Sequence, residues 1–404
     1  MIRRLLPILG ITFIDIVGFS IMIPLLPLFV VHFHARPIVV GILMSVFSVC
    51  QLVAGPLWGN ISDRVGRKAV LIISQIGATI GWALLAFSPN LMWVFISRII
   101  EGTSGGNIGI TQAYVVDLVT PKERSRAFGM ISATFGAGMI FGPLIGGFVS
   151  NTKYGFTGAF LAAAALQFLT LLLTIVLLPE SRSKTAERGL VGASAIVQTF
   201  EDRKLTFLLV QKLALALALY GWFAVIALFL QAQIHLTPSQ TSYYYSLFAV
   251  VNVLVNVFLV GRASDRFGDR GMSNVGLASL VCAFALVPFA HTVAAMVGVL
   301  LFFSVGMSFA NTGLTAIISN ASSDARQGTV LGVTSSLDSF AGIVAPPIST
   351  GLLGRYGSPF STIASLGFAA VSFALGLVQT KRQEIPKATG AVAAPVDGPA
   401  EVEV

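Results

Sequence analysis

Apolar and polar positions alternate along this chain on the scale of a bilayer. Apolar runs fall near 5–30, 39–58, 69–88, 91–114, 127–150 and 156–178, and again near 205–231, 238–260, 273–290, 295–318, 328–353 and 358–379. A helix rises about 1.5 Å per residue, so roughly twenty apolar residues span the hydrocarbon layer. The pattern predicts an all-α membrane protein with twelve transmembrane helices. Polar turns between runs are short except at PESRSKTAERGLVGASAIVQTFEDRK (179–204), which divides the chain into two sets of six. The expected organisation is a six-helix bundle at 1–178, a linker at 179–204, a second bundle at 205–380 and a disordered tail at 381–404.

Composition agrees with that reading. The 404 residues are 55% hydrophobic and 10% charged, whereas soluble domains carry about 25% charged residues. A net charge of +8 raises the question of nucleic acid, and the distribution of charge answers it. One side holds Arg3, Arg4, the cluster Arg64, Arg67 and Lys68, then Lys122, Arg124 and Arg126, the basic linker, Arg262, Arg266, Arg270, Arg326, Lys381, Arg382 and Lys387. The other side holds Arg36, Lys153 and Arg355. The positive-inside rule then places both termini in the cytoplasm, and the basic excess reflects topology, not a nucleic-acid partner.

The opening MIRRLLPILG reads as the start of the first span, since its apolar run is too long for a signal peptide and leads into Pro24 and Pro27. Cys50 and Cys282 lie in spans of different halves and imply no disulfide framework. The four histidines fall at outer span ends, and His32-x-His34 lacks a third ligand, so no metal site is expected. Tyr243, Tyr244 and Tyr245 are expected in an interfacial aromatic belt. No phosphate-binding GxxxxGK[ST] loop and no clustered catalytic constellation occur, so neither an ATP-driven pump nor an enzyme is expected, and no cofactor.

The two halves repeat one design. SDRVG at 62–66 returns as SDRFG at 264–268, and a nearby offset aligns Gly129 with Gly332 and Pro143 with Pro346. Parallel six-span repeats are a transporter architecture. The ionisable residues break the symmetry. Asp15, Arg98 and Glu101 align with Ala218, Leu301 and Ser304, while Asp338 aligns with Phe135. Such a division suits one half that handles protons and another that shapes a substrate surface.

Four stretches carry chemistry. The turn GNISDRVGRKAVL (59–71) places Gly59, Asp63, Arg64, Gly66, Arg67 and Lys68 where glycines permit a tight turn and Asp63 can accept from a helix N-terminus. This pattern resembles the loop signature of the major facilitator superfamily. The resemblance implies that Asp63 meets the eleventh helix near Gln327 and Gly328, and that Arg67 and Asp117 join it in a network holding the cytoplasmic side closed. The plainer alternative is a set of positive-inside charges. GMISATFGAGMIFGPLIGG carries Gly129, Gly138, Gly142, Pro143, Gly146 and Gly147, at the spacing of the antiporter motif of exporters in that superfamily. Close helix packing and a proline bend explain the same residues physically.

In RIIEGTSGG, Glu101 follows Arg98 by three residues on one helix face. The pair resembles a family arginine motif, although many members have Gln where Glu101 stands; an internal ion pair without function is the alternative. Finally, DIVGFSIMIPLLP (15–27) sets Asp15 inside the first span, at a cost of about 2.5–3.5 kcal/mol on insertion scales. This stretch resembles the first-helix signature of the drug:proton antiporters, including tetracycline and multidrug exporters. Burial disfavours a carboxylate and a nearby arginine favours it, so a group balanced between them can load and release a proton. The resemblance makes Asp15 the proton carrier, assisted by Arg98 and Glu101; a fixed salt bridge is the alternative.

In the second half Asp338 is expected near mid-membrane, as a second proton site or as a contact for a cationic substrate. Gln211, Lys212, Tyr220, Trp222, Asn252, Asn256 and Asn311 are candidates for a substrate cavity, since amides among aromatics suit a bulky, partly apolar ligand. The expectation is a proton-coupled exporter of a small amphiphilic compound, working by alternating access as a monomer in the bacterial inner membrane. Its partners are the substrate, protons and the bilayer. The rivals are a sugar or metabolite facilitator or symporter on the same fold, and a transporter-like receptor or scaffold.

Overall fold

A computed structural model of the protein describes residues 2–105, 107–181, 202–322 and 327–384. The described residues form helices joined by short turns, without strands. In chain order they are α1 (Ile2–His32), α2 (Pro37–Val65), α3 (Arg67–Ala86), α4 (Leu91–Ser104), α5 (Asn107–Leu118), α6 (Arg124–Ser150) and α7 (Gly155–Leu177). There follow α8 (Arg203–Ile234), α9 (Pro238–Val255), α10 (Gly261–Leu286), α11 (Val293–Ala321), α12 (Gln327–Tyr356) and α13 (Ile363–Glu384). Most of the predicted linker and tail, 182–201 and 385–404, lies outside the described residues.

Nine stretches among the described residues are long and apolar enough to cross a bilayer. Twelve is reached only by treating three places separately. The eighth and ninth predicted spans share one stretch, 238–289, which turns sharply at Gly268, where φ is 66°. The fourth is split into α4 and α5 beyond Gly105, whose extended backbone ends α4. The eleventh, α12, is rich in glycine, serine and threonine and is not among the nine.

Helix starts follow from local chemistry. The Asn90 side chain accepts from the backbone N–H groups of Met92 and Trp93 and so caps α4. Thr237 and Gln240 form a reciprocal capping box with Pro238 in the first turn of α9. Thr292 accepts from the Ala295 N–H at the start of α11. A short π-helical turn, Asn256–Val260, links α9 to α10.

The helices form two bundles, α1–α7 and α8–α13. In the first, α1 packs on α6 and α7, and α3 on α4 and α7; in the second, α8 packs on α12, α13 and α11, and α10 on α11 and α13. The bundles meet where α2 lies on α12 and α6 lies on α9, which are equivalent pairs under the internal repeat. Within a bilayer such contacts rest on small residues that let backbones approach. The α6 glycines show this directly. A Cβ at Gly138 would lie 2.6 Å from Ile16 Cγ2, one at Gly142 would lie 2.6 Å from the Val17 carbonyl oxygen, and one at Gly146 would crowd Ile21. Ser20 Oγ completes the α1–α6 contact by donating to the Gly138 carbonyl at 3.0 Å. On the other face of α6, Gly147 admits Tyr243 and the Ser239 carbonyl of α9.

The tyrosine run does not form a surface belt. Tyr244 and Tyr245 are buried, and Tyr244 donates to the Met296 carbonyl at 3.1 Å. Only Tyr243 of the three is exposed. The helical turn separates consecutive residues by about 100°, so three in a row cannot share one face.

Candidate functional site

The first bundle holds a buried ionic centre. Arg98 and Glu101, one turn apart on α4, form an ion pair whose side chains are 1% and 6% exposed. The guanidinium stands 5.0 Å from the Trp82 ring centroid, a cation–π contact, and Nη1 approaches Met22 Sδ of α1. Gly81 of α3 makes room for this: a Cβ there would press on the Ser97 carbonyl oxygen at 3.3 Å. Asp15 of α1, partly buried, lies within electrostatic reach of Glu101. The three residues that the first and fourth spans contributed as candidates therefore share one region. It contains two acids and one arginine. Ionised throughout it carries one net negative charge, and one proton makes it neutral.

The 59–71 turn is a second ionic cluster, at the end of the bundle that carries the basic residues. Gly66 adopts φ 114°, closed to residues with a Cβ, and starts α3. Arg67, 7% exposed, bonds Asp63 at 2.5 Å, Ser62 Oγ at 3.0 Å and Asp117 at 3.4 Å. These partners all belong to the first bundle. The contact of Asp63 with α12 was expected near Gln327 and Gly328; no such bond is found among the described residues, and 323–326, directly before α12, lie outside them. Arg64 is exposed, and a Cβ at Gly59 would meet nothing within 4 Å.

Two residues that the motif did not suggest complete the cluster. The Glu180 carboxylate accepts the Lys68 N–H at 3.1 Å and fills the space beside Gly66 that a Cβ would take. A carboxylate there also faces the positive end of α3. Ser181 Oγ donates to Asp117 at 2.9 Å, and its carbonyl accepts the Arg67 N–H. The signal was present as Pro-Glu-Ser directly after the sixth apolar run. It gained meaning only once α7 was known to end beside α3.

Among the described residues the second bundle holds one buried cation. Lys212 of α8 is 6% exposed and donates to Asn311 Oδ1 of α11 at 2.6 Å. Its ammonium also lies 3.5 Å from Asp338 of α12. Asn252 and Asn256 each donate to Ser308 Oγ, at 3.0 and 2.9 Å, and Tyr220 is 40% exposed. Gln211 and Trp222 are both buried, and Trp222 lines a small aromatic cavity with Phe223, Tyr245 and Phe303. Gln211, 2% exposed, exchanges bonds with Ser372 of α13, and Trp222 packs at steep angles against the rings of Phe229, Phe284 and Phe303. An apolar span between neighbouring helices offers several faces, and sequence alone does not say which one is open.

The contacts between bundles are unequal along their length. At the end away from the basic turns, Ser45 Oγ donates to the Ile343 carbonyl at 2.5 Å. A Cβ at Gly41 would lie 2.6 Å from the Pro346 carbonyl oxygen and collide with Thr350. At the basic end, by contrast, a Cβ at Gly55, Gly59, Gly129, Gly261 or Gly332 would meet nothing within 4 Å. Among the described residues the α2–α12 contact is thus tight at the end away from the basic turns and looser at the other. Gly41→Leu is therefore expected to disfavour the closed end by about 1–3 kcal/mol, as overpacking does, moving a two-state balance roughly 5–150-fold. Spin labels at Ala35 and Ser358 in a cysteine-free background would report this as longer distances, and unchanged distances would contradict it.

Comparison with known proteins places this geometry. The Major Facilitator Superfamily model matches residues 8–230 and 212–398. Tetracycline resistance protein, class C, of Escherichia coli is 29% identical over 380 residues, covering 91% of this chain and 94% of that one. Multidrug resistance protein 2 of Bacillus subtilis is 28% identical over 349 residues, covering 83% and 85%. Among solved structures, a bacterial homologue of the human lysosomal transporter Spinster, in an inward-facing and occupied conformation, superposes with a TM-score of 0.80 at 14% identity, covering 93% and 96%. The chain is an integral, multi-pass membrane protein and belongs to the Major Facilitator Superfamily of transporters.

Proposed function

We propose that this transporter exports a small, amphiphilic, drug-like compound in exchange for protons. The observation that carries the reading is the centre formed by Asp15, Arg98 and Glu101, where Glu101 pairs with Arg98 and lies within electrostatic reach of Asp15 inside the first bundle. An intramembrane ionisable group is expensive and is a functional candidate by default. One excess acid gives the centre room for one proton while the arginine keeps its charge. The similarity to tetracycline and multidrug resistance proteins supports export of such compounds. The glycines of α6, which dock α1 on one face and α9 on the other, support a hinge between the proton centre and the bundle interface.

Under this reading the basic end faces the cytoplasm with both termini, and the protein works as a monomer in the bacterial inner membrane. The two bundles correspond to 1–178 and 205–380, joined by the 179–204 linker. The structure then stands open to the cytoplasm, with the Gly41–Pro346 and Gly147–Ser239 contacts sealing the outside. In that state Asp15 is ionised and substrate binds. After the bundles rock, a proton enters, substrate leaves outward, and the protonated carrier returns. The network of Asp63, Arg67 and Asp117 lies ready within the first bundle, to be joined by the second when the cytoplasmic end closes.

The test is tetracycline uptake into inverted membrane vesicles. An acid-interior gradient is expected to drive accumulation, and a protonophore to remove it. A facilitator would only equilibrate the compound, and a symporter would move it the other way.

A further inference from the structure

Lys212 and Tyr220 lie eight residues apart on α8, and Asp338 and Gly342 four apart on α12, so each pair shares a helix face. Those faces meet. The Lys212 ammonium lies 3.5 Å from Asp338, and a Cβ at Gly342 would lie 3.3 Å from Tyr220 Cε1. The same point would be 3.0 Å from Ser48 Oγ of α2, which puts the cluster at the junction of the two bundles.

The cluster is lopsided. The Lys212 side chain is 7% exposed and that of Asp338 37%. Lys212 is anchored by Asn311 at 2.6 Å, a charge-assisted bond, whereas its 3.5 Å approach to Asp338 is too long for a good hydrogen bond. The lysine is thus held without the aspartate, and the aspartate is neutralised but still open. A ligand arriving at the junction meets a carboxylate beside a 40% exposed aromatic ring, two features that attract an ammonium or other organic cation.

We infer that Asp338 is the contact for an organic cation and that Lys212 is a built-in competitor, a tethered ammonium whose hold on Asp338 the substrate's cationic group must replace. The inference rests on the export reading above and gives that substrate a charge. It makes Lys212 a specificity-determining residue: its presence keeps Asp338 neutralised between substrates and limits how tightly any cation binds. An anion meets the carboxylate first, which offsets the charge of the lysine buried behind it.

The experiment uses two ions of matched shape and opposite charge, tetraphenylphosphonium and tetraphenylborate, in equilibrium dialysis against the purified full-length protein, with empty micelles as the blank. Wild type is expected to prefer the phosphonium. Lys212→Gln is expected to tighten phosphonium binding about tenfold, Asp338→Asn to weaken it about as much and reverse the preference. The double variant binds both ions alike, and Lys212→Arg keeps the wild-type preference. Phosphonium binding that is unchanged or weaker in Lys212→Gln overturns the inference, as does a shift of both ions in the same direction. If Lys212→Gln does not fold, the Asp338→Asn arm decides alone. Absence of binding in wild type and in Lys212→Gln also overturns it, and tetracycline uptake into inverted vesicles separates that result from a failure of the export reading.

Discussion

An Asp15→Asn variant should lose concentrative export while remaining folded. Asparagine keeps the shape of the protonated acid but cannot release a proton, so the carrier is held in one half of its cycle. When one proton exchanges for one singly charged cation no net charge crosses, so each unit of pH difference, about 1.4 kcal/mol, sustains a gradient of about tenfold. The variant should bring that ratio to about one, with or without a protonophore. Fold is expected to survive because Arg98 retains Glu101 as its partner. Internal and external tetracycline, measured in cells lacking other exporters at matched expression, checks the result. Wild-type gradients in the variant would move the carrier role to Glu101 or Asp338.

Arg98→Met should be damaging in a different way. Arg98 is 1% exposed and is the cation that compensates Glu101. Removing one member of a buried pair leaves the other uncompensated and typically costs about 3–5 kcal/mol. Here the Trp82 contact is lost as well. Exchanging both members for neutral groups of similar size is often close to neutral, so Arg98→Met with Glu101→Gln should recover most of the stability but not export. Thermal unfolding of the purified protein, followed with transport in parallel, tests both halves. Stability without transport in the double variant is the signature of a functional centre; equal recovery of both would make the pair merely structural.

Both predictions concern residues visible in the sequence, because an ionic group inside an apolar run stands out against its surroundings. The same contrast made the architecture legible: long apolar runs, a basic excess on alternate loops and a repeated SDR-x-G turn leave few alternatives. Irregularities inside the runs were not legible. The break beyond Gly105 and the π turn at Asn256 depend on how neighbouring helices take up unmatched backbone groups. Contacts between distant segments were also hidden. Nothing near Glu180 in sequence points to Gly66, and nothing near Lys212 points to Asn311 or Asp338. The close surroundings of Gln211 and Trp222 were hidden for the same reason. A polar or aromatic residue in a span declares that it needs company, but only packing decides whether a neighbouring helix or an open cleft provides it.

The closed end of the molecule has a consequence for how hard it is to open. Where α2 lies on α12 its tightest contacts are made by a glycine, a serine, a threonine and backbone carbonyls, with the Ser45–Ile343 hydrogen bond across it, a bond with a net value of about 1 kcal/mol. Small surfaces of this kind separate without tearing apart interlocked side chains or stranding a charge. The work of parting them is then comparable with the roughly 2.3 kcal/mol that one charge gains in falling through 100 mV. A latch of matched aromatic side chains would hold more firmly and stall the cycle. The glycines of α2 and α6 thus set the scale of the whole machine: a seal weak enough for one ionisation event to tip.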